Sequence, residues 1–196
     1  MATYRKLPIV PLETPRLLLR TMTMADAPRI QELFPNPNVL RFMAASIPWP
    51  YPDDGAESYL RRTLPRIERM EEYYWAIVRR GHEAEGLVGG IGLMPASDEE
   101  SRGFWLGEPY WGQGFMREAS DAVTAFAFDT LGMTELRLNN AAPNAASHRI
   151  KESAGAEIVS VGDTEYVGGT FPGVRWRLTA EAWRRQRPAG ETLPGG

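Results

Sequence analysis

The stretch Glu108-Pro109-Tyr110-Trp111-Gly112-Gln113-Gly114-Phe115-Met116-Arg117-Glu118-Ala119 carries most of the information in this chain. Before it, Phe104-Trp105-Leu106 reads as a short strand. After it, Met116, Ala119, Val123, Phe126, Ala127 and Thr130 recur at helical spacing, and Gly132 stops the helix. Two glycines one residue apart thus separate a strand end from a helix start. Glycine lets a backbone approach a ligand closely. The first helical N–H groups have no partner in the helix, and the helix dipole places partial positive charge there. That is an anion site suited to phosphate. The same glycines also fit a plain tight strand–helix turn. No Gly-Lys-Ser/Thr follows, which excludes a Walker loop, and the three glycines of a dinucleotide fingerprint are missing.

Outward from this segment the chain alternates strand and helix signals. Leu17-Leu18-Leu19 reads as a first strand, followed by a helix capped by Thr23 with Asp26 three residues on, which Pro35 and Pro37 end. Pro48, Pro50 and Pro52 interleave with Trp49 and Tyr51 in a stiff connection that cannot be regular helix or central strand. Asp53 or Asp54 caps a helix carrying Tyr59, Leu60, Leu64, Ile67 and Met70, which Pro65 is expected to kink. Tyr73 to Val78 and Leu87 to Leu93 are strand candidates, and Pro95 to Gly103 is a polar turn. Glu135 to Leu138 is a strand, Asn144 caps a helix that ends at Gly155, and Glu157 to Val161 and Val174 to Leu178 are closing strands. Strands outnumber crossovers, so the class is α/β (α+β), with a mixed, mostly antiparallel central sheet flanked by helices.

With 196 residues the chain reads as one domain, 1–196, its core about 12–183 and a flexible tail at 184–196. There is no cysteine, which excludes disulfides and thiolate catalysis, and His82 and His148 sit in no metal-ligand pattern, so no metal is expected. The N-terminus carries Arg5, Lys6, Pro8, Pro11 and Glu13 and lacks the apolar run of a signal peptide, and no segment reads as a membrane span. A cytoplasmic protein, monomer or homodimer, is the expectation. Net charge is -3, from 22 basic and 25 acidic residues, so a nucleic-acid partner is not expected. Arg184, Arg185 and Arg187 read as a solvated helix end or tail.

Tyr110 to Ala119 resembles the acetyl-coenzyme-A loop of the GNAT N-acetyltransferase superfamily, in particular the branch of bacterial ribosomal-protein N-terminal acetyltransferases. Three further segments resemble that branch in order: Leu12-Glu13-Thr14-Pro15-Arg16-Leu17-Leu18-Leu19-Arg20, Ile47-Pro48-Trp49-Pro50-Tyr51-Pro52, and Asn144-Ala145-Ala146-Ser147 with Gly155-Ala156. The likeness spans roughly Leu12 to Trp183. Met116 stands where the superfamily prefers a small residue, and Ala156 where phenylalanine is common.

The resemblance implies a single GNAT-like domain, its sheet splayed at the acetyl-CoA site, that transfers acetyl from acetyl-CoA to a primary amine by direct transfer in a ternary complex. The acceptor is a protein N-terminal α-amine or a small-molecule amine. It further implies that the amides of Gly112, Gln113, Gly114, Phe115 and Met116 hold the pyrophosphate, and that Phe104 to Leu106 pairs with the pantetheine arm, the N–H near Leu106 polarising the thioester carbonyl. Arg117 either adds charge there or is a solvated first-turn side chain. Asn144 and Ser147 are either helix caps or, as the resemblance implies, a pantetheine contact and the proton donor to the leaving thiolate. Glu165, in Glu165-Tyr166-Val167-Gly168-Gly169, is either the base or an exposed turn glutamate, and Glu108 is the second candidate. Trp49, Tyr51, Tyr73, Tyr74 and Trp75 line an acceptor groove or belong to the core. The alternative to catalysis is an acyl-CoA-binding sensor or interaction domain.

Overall fold

The structure is a computed structural model that describes residues 4–187. Its elements are β1 (Leu12–Glu13), β2 (Leu17–Thr21), α1 (Ala27–Leu33), α2 (Pro37–Leu40), α3 (Gly55–Glu68), β3 (Tyr73–Arg79), β4 (Leu87–Leu93), β5 (Arg102–Leu106), α4 (Phe115–Ala125), β6 (Glu135–Ala141), α5 (Ala145–Ser153), β7 (Glu157–Tyr166), β8 (Gly169–Thr179) and α6 (Ala180–Arg185). The class expected from sequence is the one observed. The central sheet is built as two antiparallel sheets, β1-β2-β3-β4-β5 and β6-β8-β7.

The two sheets join where the segment leading into β5 meets β6. The Ser101 N–H donates to the Arg137 carbonyl at 2.7 Å, and the Arg137 N–H donates to Ser101 Oγ at 3.1 Å. Both residues lie near the start of their strands, and β5 and β6 share no ladder beyond them. The helix α4 connects the two strands.

The first sheet buries both faces. Leu17, Leu19, Tyr73, Trp75, Ile77 and Ile91 pack with Ala119, Val123 and Phe126 of α4. On the other face Ala76, Val78 and Leu87 meet Ile30 of α1 and Leu60 of α3. Every residue of β4 is buried, which explains its near-continuous apolar run. Its glycines admit close neighbours: a Cβ at Gly92 would come within 2.3 Å of the Tyr74 ring, and one at Gly89 within 2.4 Å of the Trp105 carbonyl.

Boundaries differ from the sequence reading where local chemistry was overlooked. Pro35 and Pro37 do end α1, but Asn36 Oδ1 accepts from the Asn38 N–H at 2.8 Å, so Asn36-Pro37 starts α2 as an Asn cap and a first-turn proline. α3 runs through Pro65, which lies three residues from its end. The α4 helix turns π-helical over Phe126–Thr130 before Gly132, at φ +73°, stops it. Arg184 and Arg185, read from sequence as a solvated helix end or tail, close α6. Arg184 pairs with Asp129 at 2.8 Å and Arg185 with Glu181 at 2.7 Å. The rest of that tail, 188–196, lies outside the described residues. Among the described residues no helix is long and apolar enough to cross a membrane.

Candidate active site

Gly112 and Gly114 both adopt left-handed backbone, at φ +73° and +80°, and Gly114 is the N-cap of α4. A side chain at either position would be strained. The turn is held from outside by the β1–β2 hairpin. Arg16 donates from Nη1 to the Gln113 carbonyl at 2.9 Å and from Nε to Glu118 Oε2 at 2.7 Å. Thr14 Oγ1 and the Arg16 N–H both donate to Glu118 Oε1. Burial raises the Glu118 carboxyl pKa, but these hydrogen bonds outweigh it and hold the group below its ordinary range. Glu118 is thereby fixed as an anion that ties the first turn of α4 to β2. The first-turn amides open into a cleft of about 800 Å³ lined by Gly112, Gly114, Phe115, Met116, Arg117 and, across it, Asn144, Ser147 and Ile150.

The strand side of this cleft follows from register. Gly107 N–H donates to the Val88 carbonyl and Met94 N–H to the Ser101 carbonyl, and the β4–β5 register pairs Gly90 with Trp105 and Gly92 with Gly103 between them. Antiparallel pairing alternates, so these residues exchange the ladder bonds, and the peptide groups of Phe104 and Leu106 face away from β4. The Leu106 carbonyl accepts from Trp111 Nε1 at 2.7 Å. The Leu106 N–H faces the same side.

A second cavity, about 320 Å³, adjoins the first at Phe42, Met43, Phe104, Asn144 and Ser147. Its outer wall is the β7–β8 hairpin, whose Val167 and Gly168 N–H groups donate to the carbonyls of Met43 and Arg41. Its floor is charged. Lys151 is 2% exposed and donates from Nζ to Ser147 Oγ at 2.6 Å. Arg102, also 2% exposed, donates from Nη1 to Ser120 O at 3.3 Å and Thr124 Oγ1 at 2.5 Å, while its Nε and Nη2 are buried without a hydrogen-bond partner. Glu100 completes the group and accepts from the Asn139 backbone N–H. Burial pushes the Glu100 carboxyl up despite the cations beside it. Burial, with the Arg102 charge adding to it, pushes the Lys151 ammonium down.

Residues 16–157 match the family model described as an acetyltransferase (GNAT) domain. The chain belongs to the GNAT acetyltransferase family. It is 28% identical over 149 residues to the uncharacterized N-acetyltransferase YoaA of Bacillus subtilis, a match covering 71% of this chain and 78% of that one. In fold it is similar to ribosomal-protein-S5-alanine acetyltransferase from Vibrio fischeri, with a TM-score of 0.73, 15% identity, and coverage of 92% and 100% of the two chains. It is likewise similar to the ribosomal L7/L12 α-N-protein acetyltransferase RimL in complex with coenzyme A, with a TM-score of 0.72, 14% identity, and coverage of 88% and 99%. This GNAT acetyltransferase is therefore an acetyl-CoA-dependent acyltransferase. Its cleft presents the amides at the start of α4, an open strand edge, and a buried hydroxyl between the two cavities.

In this GNAT acetyltransferase the expected donor-side residues Leu106, Gly112, Gly114, Phe115, Met116, Arg117, Asn144 and Ser147 all line one cleft. Gln113 does not: its carbonyl faces Arg16 and its side chain donates to the Pro109 carbonyl at 3.3 Å. Asn144 is a true cap, its Oδ1 accepting from the Ser147 N–H at 3.1 Å, and it lines both cavities as well. Glu165 is exposed at the mouth of the second cavity and accepts from the Thr170 hydroxyl. Glu108 is held by Asn36 Nδ2 at 2.6 Å and Asn38 Nδ2 at 2.7 Å, which fastens α2 to the loop and leaves it no place in either cavity wall. Tyr73 and Trp75 are core, Tyr51 and Tyr74 pack in the second cluster, Trp49 is exposed, and none lines the cavities. His148 stacks edge-on to Trp176 at 4.7 Å.

Sequence reasoning missed Glu100, Arg102 and Lys151. For Lys151 a signal was present: it lies four residues after Ser147, on the same helix face, and is one of two lysines in the chain. Glu100 and Arg102 were absorbed into the polar turn from Pro95 to Gly103.

Proposed function

We propose that the protein transfers acetyl from acetyl-CoA directly to a primary amine, a protein N-terminal α-amine or a small-molecule amine, with both substrates bound together. One observation carries this reading: Asn144 and Ser147 line the donor cleft and the second cavity at once, so a donor in one meets an acceptor in the other at their side chains. The absence of cysteine leaves no thiolate to carry the acetyl group between two half-reactions.

Acetyl-CoA supplies the activated acetyl group. The amides of Gly112, Gly114, Phe115 and Met116 at the start of α4 bind its pyrophosphate, with Arg117 adding charge at the rim. The Leu106 N–H stabilises negative charge on the thioester oxygen, and Asn144 holds the pantetheine arm. Ser147 protonates the departing sulfur. At the cavity mouth Glu165 draws in the cationic acceptor. Deeper in, Glu100 takes the proton of its nitrogen, for which its raised pKa suits it. An α-amine, with an ordinary pKa near 8, needs less help to shed that proton than a lysine side chain near 10.4.

The test is acetyl-CoA affinity by calorimetry alongside thiol release over peptides with free N-termini, polyamines, aminoglycosides and amino acids. Turnover with one acceptor class supports the reading and names the acceptor. Tight binding without turnover on the whole panel returns the sensor reading, and no binding overturns the donor site.

A further inference from the structure

We propose that Lys151 is a positioning residue for acetyl transfer, fixing the Ser147 hydroxyl through the Nζ–Oγ hydrogen bond and resupplying its proton. The inference rests on the reading of Ser147 as proton donor and deepens it. A hydroxyl oxygen that accepts from an ammonium must aim its own hydrogen elsewhere. Lys151 reaches Ser147 from the next turn of α5, at 2.6 Å and with both side chains buried, and Ser147 lines both cavities, so the serine proton is left to point toward their junction. The ammonium is held in place by the Phe104 ring, 5.4 Å away.

The proton count closes within the site. When the carbon–sulfur bond breaks, its electron pair stays on sulfur, and the Ser147 O–H bond breaks to deliver the proton there. The Lys151 N–H bond facing Oγ then breaks and restores the hydroxyl. Glu100 passes the ammonium proton of the acceptor to bulk water before the acyl step, and then takes the second proton of the nitrogen as it is acylated. Glu100 returns that proton to Lys151 through water in the cavity that both groups line. Apart from the ammonium proton, which leaves to bulk water, no outside acid or base is involved. A buried lysine of ordinary basicity would not release its proton, but this one is pushed down by burial and by Arg102.

The groups facing Lys151 are Ser147 on α5, Glu99 and Glu100 just before β5, Arg102 at its start and, across the cavity, Glu165 and Tyr166 of β7 and Arg175 of β8. Asp121 of α4 acts on it through Arg102.

Because Lys6 is the other lysine, the protein labelled at lysine Cε gives two NMR signals, assigned with Lys6→Arg. The Lys151 signal is expected to titrate well below the ordinary lysine range and to move in Ser147→Ala. A Lys151 signal that titrates in the ordinary lysine range overturns the proposal, and this readout needs no turnover and no variant at position 151. In kinetics, Lys151→Met is expected to keep acetyl-CoA affinity, to lower kcat on the order of 10-fold to 100-fold, and to shift the pH profile. Ser147→Ala combined with Lys151→Met is expected to be no slower than Ser147→Ala alone. Full activity and an unmoved pH profile in Lys151→Met overturn the role of Lys151. Failure of the unmodified protein to bind acetyl-CoA or to turn over overturns instead the reading it rests on.

Discussion

The donor cleft and the acceptor cavity share a wall but are made of different materials. The donor side is backbone: helix amides, a strand edge and two left-handed glycines, with Arg16 and Glu118 bracing the turn from behind. The acceptor side is side chains, with Glu100, Arg102 and Lys151 drawn from two segments into a space where burial opposes every charge. A backbone site carries its partial charges at no desolvation cost and needs no particular side chain to do so. A buried charge cluster is costly, and it persists where its members constrain one another or do chemistry. Under the proposed function, the difference puts donor recognition in the backbone and acceptor recognition in side chains.

The comparison breaks most sharply at Ser147, which belongs to both regions. Ser147→Ala is expected to lower kcat by a factor on the order of 10² to 10⁴ with acetyl-CoA affinity nearly unchanged, because the lost group acts on a departing sulfur and not on the bound donor. Steady-state kinetics beside calorimetry separates the two quantities. Gly114→Val strikes the donor side alone. A β-branched residue at φ +80° costs about 1–3 kcal/mol. The turn relaxes to escape that strain and the first-turn amides move, so acetyl-CoA affinity is expected to fall roughly tenfold to a hundredfold while circular dichroism shows the fold retained. An unchanged affinity would remove the amides of this turn from the donor site.

The same contrast explains what could be read from sequence. The donor loop is contiguous, and its glycines and helix start are local signals, so Gly112 to Arg117 could be named in advance. Asn144 and Ser147 came with it because a cap is also local. The brace could not be read: Arg16 and Glu118 are 102 positions apart, and no local pattern links them. The charged floor was hidden for a further reason. Glu100 and Arg102 look like ordinary polar residues in a turn, and Lys151 looks like an exposed helix lysine; only the tertiary fold brings them together in one cavity. Glu108 erred the other way, looking catalytic by its place beside the loop while serving to fasten α2.

Glu165 sharpens the acceptor side at its rim. It is exposed, so Glu165→Gln is expected to act mainly by weaker capture of a cationic acceptor, raising KM roughly threefold to fivefold with kcat nearly kept, and less so at high salt. A collapse of kcat instead would make Glu165 and not Glu100 the base.

The smallest effect is in stability, and its sign is unusual. The folded-state pKa of Glu100 lies above its ordinary 4.5, so above that value the folded chain holds a proton that the unfolded chain has lost. Its contribution therefore falls as pH rises from 4.5 toward neutrality. The folded-state pKa of Lys151 lies below its ordinary 10.5, so on the alkaline side the unfolded chain binds the extra proton and stability rises with pH toward 10.5. Together the two groups give a minimum near neutrality, where most carboxylate-paired proteins have a plateau. Denaturant unfolding near pH 5, 7 and 9, compared with Glu100→Gln combined with Lys151→Met, is expected to show the unmodified protein losing ground by about 1 kcal/mol at the middle pH relative to either side. A flat difference would mean that water reaches the floor of the cavity and that the acceptor side is, like the donor side, solvated at little cost.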